Sequence, residues 1–215
     1  MIFQKIERAA EIGEPGIESF TDDQTGAKYR RIVGGLAWPD GSKPGFALVI
    51  AEDFDEDQHK DRHLWVLKEL EAPDVAEMLR GCQDLRESFY ARDWFGNIRN
   101  NSMRAVLYHL QKDLDYKDRF SFSPAPHADD PQGLGYYLPL IKECLGTNRK
   151  ILHFGEGSKL PGYLAEMGPD TLNQDPADYP PIAALGYALS HIRTSTPPIT
   201  MTEPRCVNHR ANSWM

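Results

Sequence analysis

Residues Phe46–Ala51 read FALVIA, an unbroken apolar run. A run that short suits a strand. With no polar residue on either alternate set, the strand must be covered on both faces. Two more strand-like runs flank it. Arg31–Trp38 (RIVGGLAW) precedes it across the Gly- and Pro-rich turn Pro39–Gly45, and Leu64–Leu70 (LWVLKEL) follows the acidic stretch Glu52–His63. Short links between consecutive strands predict an antiparallel meander.

The period then changes. Val75, Met78, Leu79, Cys82, Leu85 and Phe89 share one helical stripe, with Pro73 suited to the first turn. A short extended run ends in Tyr90–Phe95 (YARDWF), Met103, Val106, Leu107 and Leu110 mark a second helix, and Arg119–Ser123 reads as a strand. Leu134, Tyr137, Leu138, Ile141 and Leu145 give a third helix, closed by Gly146. Lys150–Phe154 is extended and Ser158–Met167 is a short helix. Ile182, Leu185, Leu189 and Ile192 line a last helix opened by Pro180 and Pro181. The order βββαβαβα plus a further helix predicts one α/β domain, a mixed sheet with helices on both faces. That domain spans 29–194, between an N-terminal extension (1–28) and a C-terminal tail (195–215) without amphipathic period.

With 24 Lys+Arg against 32 Asp+Glu, the chain has a formal net charge of −8 and no basic stretch. That disfavours non-specific nucleic-acid binding, which draws its affinity from phosphate neutralisation. No apolar run approaches the ~18 residues of a membrane span, and the first residues lack the pattern of a secretory signal. Cys82, Cys144 and Cys206 are an odd number without CxxC, against a disulfide framework or a thiolate zinc site. A cytoplasmic protein with no membrane partner is the expectation.

Several local patterns fall short of their motifs. GGLAWPDGSK and Gly155–Lys159 do not fit the phosphate-loop spacing and read as turns. Asp53, Asp55 and Asp57 alternate like a calcium loop, but Gln58 and Leu64 stand where Gly and Glu are needed. His59 and His63 run into a strand, where residues four apart do not converge. His127 with Asp129 and Asp130 is a loop cluster, and Cys82 and Cys144 lie on apolar helix faces as small hydrophobes.

Three segments carry a resemblance to a known family. VGGLAWPDGSKPGFALVI, the YARDWFGN–helix unit and YPPIAALGYALSHIR resemble the RNase H-like nuclease domain of phage terminase large subunits, over about residues 30–193. The resemblance implies an RNase H-like fold. It also implies a nuclease site in which acids from the first strand, the strand after the first helix and the closing helix hold two Mg²⁺ or Mn²⁺ ions ~4 Å apart. The family's first-strand aspartate falls here at Ala37 and its closing-helix aspartate at Ala183; the middle acid is matched by Asp93. On this correspondence Asp93 is the one catalytic and metal-binding residue retained, and it should sit with Ala37 and Ala183 at one end of the sheet. Its structural reading is a surviving acid, capping or pairing with Arg92 or Arg99.

One carboxylate plus water holds a hard cation only weakly. The resemblance therefore implies a phage- or prophage-derived domain whose nuclease site has decayed. Such a pseudoenzyme acts as a binding or assembly module, with DNA or a packaging protein as partner and no cofactor. The alternative is an active Mg- or Mn-dependent DNA endonuclease using Asp93 with Asp40, Asp178 or acids of the Glu52–Asp61 stretch. The terminase ATPase would not fit ahead of residue 30, so a stand-alone domain is expected.

Overall fold

The computed structural model describes residues 6–8, 20–22, 28–53, 63–97, 108, 112, 121–145, 152–155 and 157–194. The helix expected over Met103–Leu110 lies outside these except for helical Tyr108, as do His59, Gly146 and residues 195–215.

Three strands form the expected meander: β3 (Lys28–Ala37), β4 (Gly45–Asp53) and β5 (Leu64–Ala72), with β4 antiparallel to both neighbours. Two further strands lie beyond β3 on the side away from β4. β6 (Asp93–Gly96) runs parallel to β3, and β7 (Ser121–Pro124) runs parallel to β6. A central first strand, an antiparallel meander on one side and parallel strands on the other make an RNase H-like mixed sheet. Two additions extend it. Residues 1–28, polar and turn-rich in sequence, supply the short strands β1 (Ile6–Arg8) and β2 (Phe20–Asp22), which continue the sheet from the start of β3. At the far edge, β8 (Leu152–Phe154) pairs in parallel with β5.

The apolar run in β4 explains the layering. Phe46, Leu48 and Ile50 enter the core on one face of the sheet, while Ala47, Val49 and Ala51 enter the core on the other. The second face is covered by α1 (Val75–Phe89) through Met78, Leu79, Cys82, Leu85 and Phe89, the stripe read from sequence. Asp74 caps this helix, its carboxylate accepting the Glu77 N–H at 2.9 Å, so Pro73 precedes the helix rather than opening it. Tyr90, at φ 55°, ends it in the left-handed region.

The first face is covered by α2 (Leu134–Leu145), α3 (Leu160–Ala165) and α4 (Pro180–Thr194). The stripe expected on α4 is incomplete, because every residue from 182 to 190 is buried. The helix is enclosed, with the sheet on one side and α2 on another. Two adjacent glycines in β3 allow the close packing on both faces. A Cβ at Gly34 would strike the Trp94 ring, and one at Gly35 would strike the Ala184 carbonyl of α4.

Candidate functional site

Helix α4 lies across the sheet antiparallel to β3. Asp178, just ahead of α4, meets Lys43, just beyond the end of β3, at 2.6 Å. His191, near the end of α4, meets Arg31, near the start of β3, at 3.3 Å. The first turn of α4 therefore sits at the end of β3. Ala37 and Ala183 are buried there in one apolar cluster, 2% and 0% exposed.

Asp93 does not join them, which corrects the expected trio. β6 runs parallel to β3 with Asp93 opposite Val33, four positions before Ala37. At ~3.3 Å per residue, Asp93 is displaced by ~13 Å along the strand. The resemblance places an acid in the right strand but at the wrong end of it, because sequence does not give the register of two strands that sixty residues separate. Continuing the ladder from Leu36↔Gly96, the position beside Ala37 belongs to Asn97. Asn97 is buried, and its Oδ1 accepts the Trp38 backbone N–H at 3.4 Å. Sequence reasoning passed over it, although it closes the YARDWFGN segment and only a register count was missing.

Where first strand, post-helix strand and closing helix converge, the side chains are thus two methyl groups and a neutral amide. These do not fit a pair of hard divalent cations, which require anionic oxygens. Among the described residues, no group of three or more His, Cys, Asp or Glu could hold a metal ion.

Of the alternative acids, Asp40 and Asp178 are not brought to Asp93 either, and residues 54–62 of the acidic stretch lie outside the described residues. Asp40 forms a tight turn with Lys43, bridging backbone to backbone. The Lys43 ammonium then binds Asp178, which ends the 3-10 turn Pro176–Asp178 ahead of α4. Asp40 and Asp178 so share the rim near Ala37, with a lysine engaging Asp178, while Asp93 is exposed at the opposite end. Around Asp93 the neighbours are basic and aromatic. His191 stacks on Phe95 at 3.7 Å between ring centroids, and its Nε2 receives the Arg31 guanidinium. Burial and the Arg31 charge lower the His191 pKa, and Asp93 acts against them. This is an electrostatic contact between β3, β6 and α4.

The remaining sequence candidates resolve simply. His127, at φ 58°, lies 3.8 Å from Asp130 in the turn before α2 and packs on Tyr136. Cys82 and Cys144 are fully buried, and burial pushes the Cys82 thiol well up. No helix among the described residues is long and apolar enough to cross a membrane.

No protein-family model matches this chain, and no curated protein matches it. Among solved structures, the chain is similar to the nuclease domain of the g2p large terminase from bacteriophage SPP1, determined with bound Mn. The two are 14% identical with a TM-score of 0.47, over 76% of this chain and 88% of that domain.

Proposed function

We propose that this chain is an RNase H-like module of phage or prophage origin that has lost two-metal nuclease chemistry and acts in binding or assembly. One observation carries the reading: Ala37, Asn97 and Ala183 occupy the convergence of β3, β6 and α4. Two-metal hydrolysis needs one ion to activate water and another to stabilise the leaving oxygen. Methyl groups and one neutral amide supply neither the negative charge nor the number of oxygen ligands to hold such ions. The phage connection comes from the sequence resemblance. The charge of −8 favours a packaging protein over DNA as the partner, because phosphate contacts need a basic surface.

The test is direct. The protein is incubated with plasmid and single-stranded DNA in Mn²⁺, beside an Asp93→Ala variant. Neither is expected to cleave, and neither should raise the anisotropy of labelled DNA at physiological salt. Mn²⁺-dependent cleavage that disappears in Asp93→Ala would overturn the reading in favour of an active endonuclease.

A further inference from the structure

The far edge of the sheet carries a pair of histidines that the reading above does not use. His63 immediately precedes β5 and His153 lies in β8, 90 positions later. β5 and β8 pair with Trp65 opposite His153, and the Asp53 N–H donates to the His63 carbonyl at 2.9 Å. Residues opposite one another on neighbouring strands project to the same face, as do alternate residues of one strand. Asp53, His63, Trp65 and His153 therefore gather on one side of the sheet.

The geometry of the two rings is specific. His63 Nδ1 and His153 Nε2 are 2.7 Å apart, while the ring centroids are 4.9 Å apart. The two nitrogens thus lie close to the line joining the rings and face each other edge to edge. One must present an N–H and the other a lone pair. Trp65 stacks on His153 at 4.3 Å and 19°, which fixes that ring. Burial and the neighbouring His63 lower the His153 pKa, with Asp53 opposing, which favours the neutral imidazole that ligates metals.

We propose that His63 and His153 form a binding site for one borderline divalent transition-metal ion: Zn²⁺, Ni²⁺ or Cu²⁺. Imidazole is a preferred ligand for these ions. When the ion enters, the donor ring's proton moves through solvent to that ring's other nitrogen. Both facing nitrogens then offer lone pairs, and both rings stay neutral. Zn–N bonds of about 2.0–2.1 Å at a tetrahedral angle put two nitrogens ~3.3 Å apart, so the pair opens by about 0.6 Å and each ring tilts by roughly 35° to aim its lone pair at the ion. Both rings are partly exposed, so water can fill the remaining positions, and the Asp53 carboxylate offsets the ion's charge. The consequence is structural: the ion clamps β8 to β5, where the ladder among the described residues is Leu64↔Leu152, Trp65↔His153 and Val66↔Phe154.

The full chain is titrated with Zn²⁺ by calorimetry and with Ni²⁺ by tryptophan fluorescence, since a paramagnetic ion beside Trp65 quenches it. One ion per chain is expected. Affinity should fall at least about tenfold in His63→Ala and in His153→Ala, the scale on which even outer-shell partners act, and stay unchanged in His127→Ala. Trp65→Phe should lose the quenching signal while keeping the calorimetric one. Should either histidine variant fail to fold, Ni²⁺ broadening of the His63 and His153 ring signals in the wild-type NMR spectrum decides instead. Absence of binding by the wild type, binding unaffected by both substitutions, or broadening elsewhere in the spectrum overturns the proposal.

Discussion

Gly35→Ala probes the contact that positions the whole candidate site. Gly35 lies in central strand β3, directly beneath α4. A Cβ there would collide with the Ala184 carbonyl oxygen and come within 3.1 Å of the Ala188 Cβ. The oxygen belongs to helix backbone and cannot rotate aside, so strand and helix must separate. Overpacking of this kind costs about 1–3 kcal/mol. Replacing a strand glycine by alanine returns about 0.5–1 kcal/mol through reduced chain entropy. The net expectation is a loss of ~1–2 kcal/mol, or several degrees in Tm for a chain this size. Gly162→Ala is the matched control. Nothing lies within 4 Å of a Cβ at that position in α3, so the helical glycine penalty of about 0.8–1 kcal/mol should be recovered as added stability. Urea unfolding of the two variants beside wild type reads both signs. A Gly35→Ala protein as stable as wild type would falsify the seating of α4 on β3, and with it the burial of Ala183 beside the end of that strand.

Three further outcomes are expected. His191, whose pKa is lowered by burial and Arg31, binds fewer protons folded than unfolded below the ordinary histidine value of about 6.5, so its contribution to stability rises with pH through that window and is lost as pH falls. Urea midpoints at pH 5 and pH 7 should therefore differ less in His191→Phe than in wild type, and equal differences refute the assignment. Ala37→Asp, Asn97→Asp and Ala183→Asp combined should create Mn²⁺ affinity measurable by calorimetry, while costing several kcal/mol without metal because buried charges stand unpaired; no gain in affinity means that the three positions do not adjoin. Cys82 and Cys144 should resist alkylation in the native protein and react on unfolding, as followed by peptide mass spectrometry, since thiolates rather than buried thiols react.

Much of this architecture was legible from side-chain pattern. FALVIA announced a strand covered on both faces, the stripe from Val75 to Phe89 announced α1, and the strand–helix order announced a mixed sheet. These readings hold because burial is set by alternation and period, which are properties of contiguous residues. Small residues misled in α4. Ala183, Ala184, Gly186 and Ala188 fall outside the stripe of Ile182, Leu185, Leu189 and Ile192, yet all are buried because they let the sheet and Tyr137 of α2 approach closely. The strand content of residues 1–28 gave no signal, since short edge strands among polar turns have little apolar pattern.

The site shows the division most clearly. Residue types along the chain determined that Ala37 and Ala183 could not serve as metal ligands, whatever the fold. Tertiary structure alone decided that Asp93 stands ~13 Å along the strand from Ala37 and that Asn97 takes the place beside Ala37. It also decided that His63 meets His153, a residue 90 positions away. The physical reason is the same in each case. Local sequence sets which residues favour a strand and which face they show, but the pairing of strands distant in the chain is settled by how whole layers pack. A shift of one register step moves every side chain to another neighbour and another face.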